Sequence, residues 1–286
     1  MSGSILHPTF TQFPDGQPHV IASVIAPNGA HYKIAHQPRS SSEIFGVALY
    51  ADVLRHRGAA SLDWICPLIP WSRMDRRMSE NEPHSMQVMA KFINSLEFDC
   101  VYTVTPHSDV CEALIDNLTI LHPYRTFLAR LQQEKGVDLE NVLLVAPDVG
   151  AVKRTQYVAN LLQEDAPIAI LHKERFNRVV KMGIIHQPPV KDESTQIIVV
   201  DDLLDGGATF LHAAPILRRV YGERPLHLMV AHGLFSDYRN LTVLQELYDT
   251  ISFLDHSFMQ SADVDLTKPQ QTLLPLPTFP WISAQI

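Results

Sequence analysis

The segment Ile197-Ile198-Val199-Val200 runs directly into Asp201, Asp202 and Asp205 and then into Gly206-Gly207-Ala208-Thr209. Four apolar residues followed by acids read as a buried strand that leaves its sheet after Val200, so that Asp201 and Asp202 point into a crevice rather than into the core. The small-residue turn then enters a helix, where unpaired backbone N–H groups and the positive end of the dipole favour an anion such as phosphate. In isolation Asp205 is a helix cap and the glycines are a bend. A buried strand feeding Asp-Asp-x-x-Asp-Gly-Gly-x-Thr shifts the balance to a binding site.

Other polar clusters follow apolar runs in the same way. Asp148 and Gly150 precede Lys153 and Arg154 in VAPDVGAVKR, while Lys173 and Arg175 stand immediately after the run Ile168 to Leu171. Arg73, Met74, Asp75, Arg76 and Arg77 come beyond Ile65 to Ile69, and His107 lies beyond Cys100 to Val104. Near the start, FPDGQPHV carries Phe13, Asp15 and Gln17. Plainer explanations exist for each: Pro-Asp-x-Gly is a turn, and an isolated basic pair at a strand end is usually a solvated one.

The elements that must position these residues are legible as an alternation. Further apolar runs span Val142 to Ala146, Leu226 to Val230 and Ile251 to Leu254, and helical spacing covers Glu43 to Arg57, Ser85 to Leu96, Val152 to Leu162 and Phe210 to Tyr221. Strands alternating with helices predict an α/β fold, with parallel sheets covered by helices on both faces. The pattern is interrupted at His122-Pro123, which predicts two domains, 1–122 and 123–286. The tail, with Pro269, Pro275, Pro277, Pro280 and Trp281, is expected to run extended across the surface.

Composition narrows the function classes. The chain has 286 residues, 46% of them apolar, so it can bury one large core or two modest ones. With 31 acidic against 23 basic residues its net charge is -8, which argues against nonspecific binding of nucleic acid. An anionic ligand must therefore meet locally clustered bases. Cys66, Cys100 and Cys111 are odd in number and two of them lie in or beside apolar runs, as expected of free thiols in a reducing compartment. No charged leader with an apolar stretch and no membrane-length apolar run is present, so a cytoplasmic protein is expected.

The Asp201 segment resembles the loop that binds the ribose and 5-phosphate in type I phosphoribosyltransferases and ribose-phosphate pyrophosphokinases. The other clusters favour the second branch. VAPDVGAVKR is similar to the Ser-Pro-Asp-x-Gly-Gly-x-Lys-Arg segment of the pyrophosphokinases, LHKER to the Ile-His-Lys-x-Arg at the base of their catalytic loop, and PWSRMDRR to their ATP-binding Pro-Tyr-x-Arg-Gln-Asp-Arg/Lys-Lys. VTPHSDV and VAHGLFS match further family segments, and FPDGQ stands in the place of a Phe-x-Gly-Glu hairpin. An ordinary phosphoribosyltransferase would leave Arg73 and the Lys173-Glu174-Arg175 match without purpose.

The resemblance implies two phosphoribosyltransferase-like domains, each a mainly parallel sheet flanked by helices. It implies transfer of the β,γ-diphosphoryl group of ATP to the anomeric hydroxyl of ribose 5-phosphate, giving phosphoribosyl pyrophosphate (PRPP) and AMP. Asp201, Asp202, Asp205, Gly206, Gly207, Ala208 and Thr209 would then hold the ribose phosphate. Phe13, Asp15, Gln17, Arg73, Met74, Asp75 and His107 would hold ATP, and Lys173 and Arg175 would act on the transferring group. His107 and Asp148 would organise Mg2+. A homodimer or larger assembly is expected, because the family's hairpin reaches a neighbouring subunit.

Several positions depart from the family pattern. The usual Asp-Thr-x-Gly-Thr is here Asp205-Gly206-Gly207-Ala208-Thr209, which removes one hydroxyl donor and weakens phosphate binding by roughly 1 kcal/mol while leaving room. Met74 replaces a glutamine, Gln17 a glutamate, and Thr105 an aspartate. An expected first strand with its Ser-containing turn is not recognisable. Two alternatives follow: the same chemistry on a ribose 5-phosphate ester such as ADP-ribose, or a noncatalytic regulatory homologue.

Overall fold

Val142–Ala146 is buried at every position, and Leu226–Gly233 likewise, as parallel strands covered on both faces must be. A computed structural model of the chain describes residues 4–22, 29–162, 166–176, 179–255 and 272–286. It divides into two units, Met1–Leu121 and His122–Ala284.

The first unit contains β1 (Ser4–Leu6), β2 (Phe10–Gln12), β3 (Pro18–Val20), β4 (His31–Ala35), α1 (Ser41–His56), β5 (Ser61–Ile65), α2 (Ser85–Ser95), β6 (Cys100–Val104), α3 (Val110–Leu114) and β7 (Leu118–Leu121). Five strands form a parallel sheet in the order β1-β4-β5-β6-β7, and β2 with β3 makes a separate antiparallel hairpin. Helix α1 starts where Ser40 Oγ accepts from the Glu43 N–H. Its inner face packs Val47, Ala51 and Leu54 on Ile34, Leu62 and Trp64.

Two expectations for this unit are corrected. A first strand is present, since β1 pairs with β4 from Ser4↔Tyr32 to Leu6↔Ile34. The strand expected at Ile65 to Ile69 lies instead at Ser61–Ile65, where Leu62 and Trp64 face inward between half-exposed Ser61 and Asp63. Pro67 and Pro70, which cannot donate to a ladder, exclude the apolar run that follows.

The second unit contains α4 (Tyr124–Lys135), β8 (Val142–Ala146), a 3-10 turn (Val149–Ala151), α5 (Val152–Ala159), β9 (Ile168–Phe176), β10 (Val179–His186), β11 (Gln196–Leu204), α6 (Ala208–Tyr221), β12 (Leu226–Gly233), α7 (Tyr238–Leu247), β13 (Thr250–Asp255), β14 (Leu273–Pro277) and α8 (Thr278–Ser283). The sheet order is β10-β9-β8-β11-β12-β13-β14, parallel throughout except for the β9–β10 hairpin. Strand order reverses between β8 and β11. At such a switch point the loops leaving the two strands diverge, and a crevice opens beyond their carboxyl ends.

Three expectations here are corrected by strand pairing. β11 does not end at Val200: it stays paired through Leu203↔His232 and Leu204↔Gly233, so Asp201 and Asp202 are strand residues. Lys173 and Arg175 likewise lie inside β9, opposite Met182 and Val180 of β10, rather than after it. The tail does not run across the surface; β14 joins the sheet beside β13, and α8 buries Trp281 and Ile282. Pro269 lies outside the described residues. Among those described, no helix is long and apolar enough to cross a membrane.

Candidate active site

The switch point of the second unit gathers three acids around one cation. Arg154 of α5 donates to Asp201 Oδ1 at 2.9 Å and reaches Asp202 Oδ1 at 3.4 Å. Its side chain is 11% exposed, against 14% and 7% for the two acids, so these charges meet largely out of water. Burial pushes the Asp201 acid well up, Asp202 adds to this, and Arg154 opposes both without cancelling them. Burial alone would lower the Arg154 pKa, but Tyr124, Asp202, Asp201 and Asp148 outweigh it and the net shift is upward. The backbone is fixed too, because the Tyr124 hydroxyl donates to the Asp201 carbonyl at 2.9 Å.

Asp148 follows β8 and caps the 3-10 turn, its Oδ1 accepting from the Ala151 N–H at 3.1 Å. The plain turn explanation therefore accounts for one of its oxygens. The same carboxylate contributes to the field on Arg154 and Asp201, which makes it part of the acidic cluster.

Beyond β11 the chain turns through Asp205 and Gly206 to Gly207, which precedes α6 with φ +76. That φ favours glycine, and a β-carbon there would also sit 2.9 Å from Leu244 Cδ1, which would have to shift. Gly206 differs, for its nearest neighbour to such a carbon is Ser236 Oγ at 4.0 Å. Gly207→Ala is expected to lower stability by about 1–3 kcal/mol in urea denaturation, whereas Gly206→Ala leaves the midpoint nearly unchanged. Equal effects of the two would mean that the left-handed turn is not required. From β9, Lys173 Nζ donates to Thr209 Oγ1 at 3.3 Å, bringing a cation to the start of α6.

The remaining candidates all belong to the first unit. Phe13, Asp15 and Gln17 form the exposed tip of the β2–β3 hairpin, where Asp15 Oδ1 accepts from the Gln17 N–H at 3.1 Å and Gly16 takes φ +89. Phe13 is 51% exposed, with its ring 5.0 Å from that of His19. Arg73, Met74 and Asp75 occupy the loop after β5, and His107 the loop after β6, so both leave adjacent strands at the same end of the sheet. The β5 loop is pinned at its root: Gln37 Nε2 donates to the Leu68 carbonyl at 2.8 Å while its Oε1 accepts from the Leu68 N–H at 2.7 Å. Trp71 and Thr105 both hold positive φ, +59 and +32, a strain that such loops commonly store.

The sequence alone did not reveal Arg154 as the clamp on the acid pair, although Lys153-Arg154 was visible in the motif. Tyr124 and Asn240, which donates to the Gly206 carbonyl at 2.6 Å, carried no local signal.

Comparison with known proteins agrees with this fold. The phosphoribosyl transferase domain model matches residues 112–251. The ribose-phosphate pyrophosphokinase of Xanthomonas campestris pv. campestris is 32% identical over 218 residues, covering 74% of this chain and 66% of that protein. Its counterpart from Corynebacterium efficiens is 28% identical over 189 residues, 66% of this chain. The matched part spans only 57% of that relative's own length. The phosphoribosylpyrophosphate synthetase of Mycobacterium smegmatis has a similar fold, with a TM-score of 0.76 over 97% of this chain and 88% of its own, at 19% identity.

A mainly parallel sheet with an acid-ended strand and a glycine turn at its switch point defines a phosphoribosyltransferase-type α/β protein. Within that class, the curated relatives to which the chain is similar are ribose-phosphate pyrophosphokinases.

Proposed function

We propose that the chain transfers the β,γ-diphosphoryl group of ATP to the anomeric hydroxyl of ribose 5-phosphate. The observation that carries this reading is the Asp201–Asp202–Arg154 cluster beside the Gly206-Gly207 turn, in a chain similar to these relatives. The new bond joins the anomeric oxygen to the β-phosphorus, and the bond from that phosphorus to the oxygen of the α-phosphate breaks. AMP leaves with that oxygen, and the hydroxyl proton passes to solvent. Little covalent work falls to the protein, so orientation and charge stabilisation dominate.

Asp201 and Asp202 would accept hydrogen bonds from the ribose hydroxyls, with Arg154 offsetting their charge as a phosphorylated sugar approaches. The loop from Asp205 to Thr209 would hold the 5-phosphate. Lys173 and Arg175 would offset charge on the departing AMP, and Phe13, Asp15, Gln17, Arg73, Met74, Asp75 and His107 would hold ATP. Asp148 of the second unit would offer the hard oxygen that Mg2+ prefers, and His107 of the first unit would act through the ion's water shell; among the described residues no group of three or more His, Cys, Asp or Glu is placed to hold a metal. When bound to the triphosphate, that ion neutralises charge and polarises phosphorus. The exposed Phe13 hairpin suits a second copy of the chain as partner, and a cytoplasmic setting belongs to the same proposal.

One observation favours a second acceptor. A β-carbon at Gly206 would meet nothing nearer than Ser236 Oγ at 4.0 Å, and an ester substituent on the 5-phosphate, as in ADP-ribose, would leave the loop on that side. Supplying ATP and Mg2+ with ribose 5-phosphate or ADP-ribose, and following AMP release with the product mass, separates the two. AMP formation with PRPP as product supports the first reading. AMP with a diphosphorylated ADP-ribose supports the second, and no AMP with either overturns both.

A further inference from the structure

Helix α7 braces the glycine turn from one side through residues spaced one helical turn apart. Asn240 Nδ2 donates to the Gly206 carbonyl at 2.6 Å. Leu244 packs against the Gly207 backbone, with its Cδ1 2.9 Å from where a β-carbon would stand, and Asn240 Cβ lies 3.5 Å from the same point. Tyr248, the residue that ends the helix, donates its hydroxyl to the Phe210 carbonyl at 2.9 Å. Positions 240, 244 and 248 therefore form a single stripe directed at the turn and the first residues of α6.

Of these contacts, the one from Asn240 bears on anion binding. The peptide joining Gly206 to Gly207 has no β-carbon on either side, so rotation of its plane meets little steric resistance. Because the peptide is planar and trans, its C=O and N–H point in opposite directions. Holding the Gly206 carbonyl on Asn240 therefore turns the Gly207 N–H away from α7. If the plane rotated, a carbonyl oxygen would replace that N–H and repel an anion.

We propose that Asn240 is a positioning residue that locks the Gly206–Gly207 peptide in its anion-accepting orientation. It takes over part of what the absent loop hydroxyl would do, by fixing an amide instead of adding a donor. The inference rests on the reading that this turn takes the 5-phosphate of the acceptor.

Asn240→Ala and Asn240→Asp test it. Aspartate keeps the size of asparagine but cannot donate when ionised, and it repels the carbonyl. Both variants are expected to raise KM for ribose 5-phosphate about tenfold, with KM for ATP unchanged and Asn240→Asp no better than Asn240→Ala. Binding of inorganic phosphate, followed by the Gly207 amide resonance, should weaken in parallel. Wild-type acceptor KM in Asn240→Asp, or an equal rise of both KM values, overturns the role of Asn240. A wild type that binds phosphate but forms no product from ribose 5-phosphate overturns the proposed function alone, and the phosphate affinities then decide on Asn240. A wild type that binds neither ligand overturns both.

Discussion

Arg154→Met lowers the unfolding free energy by about 3–5 kcal/mol, because it leaves two largely buried carboxylates without their cation. The loss depends on pH with a definite sign. Asp201 is already held above the ordinary carboxylate value of 3.8 by burial and by Asp202, and removing Arg154 raises it further. An acid whose pKa is higher in the folded state than in the unfolded one costs stability once it must ionise. The deficit relative to wild type therefore opens as pH rises past the folded value of Asp201 in the wild type, itself well above 3.8, and fades below it. Urea denaturation at about pH 8 and about pH 5 reads this directly, with the larger gap from wild type at the higher pH. Arg154→Met combined with Asp201→Asn should recover more than half of the loss, since the neutral amide removes the repulsion between the acids. A deficit of under about 1 kcal/mol at the higher pH would show that the cluster is solvated and that Arg154 does not hold it together.

On the proposed function, Lys173→Ala is expected to reduce turnover by about 100- to 1000-fold while leaving ATP binding intact. The geometry behind this expectation is the placement of Lys173 Nζ 3.3 Å from Thr209 Oγ1, at the start of α6, on a strand that also carries Arg175. A cation fixed there costs no reorganisation when charge develops on the leaving group. Arg175→Ala should behave alike. Single-turnover AMP release, measured beside calorimetric binding of an ATP analogue, separates chemistry from affinity. Turnover within about tenfold of wild type in both variants would remove these residues from the catalytic step.

Local sequence pattern made some strands readable. Cys100–Val104 and Val142–Ala146 have the bounds that their apolar runs suggest, because their pattern is local. Strand ends were less legible, since pairing depends on a neighbour far along the chain. Asp201 to Leu204 stay in β11 because β12 continues beside them to Gly233, and no window around Asp201 contains that information. The run Cys66 to Ile69 misled for the opposite reason: it is buried without being a strand, pinned by Gln37 and by Thr103 Oγ1 on the Pro67 carbonyl at 3.0 Å. At the site, the acids and glycines were recognisable by their order. Their partners Arg154, Tyr124 and Asn240 were not, because each reaches a residue in another element.

The joining of β14 to the sheet has a consequence for biosynthesis. Arg130 on α4, the opening helix of the second unit, donates to the Pro275 carbonyl at 2.7 Å, and Trp281 donates to Thr126 Oγ1 at 3.1 Å. The earliest and latest translated helices of this unit are thus stitched together. A nascent chain that has emerged only to Asp255 exposes β13 as an open edge and lacks both stitches. Folding of this unit is therefore expected to complete only after Leu273–Pro277 has left the ribosome and covered the β13 edge.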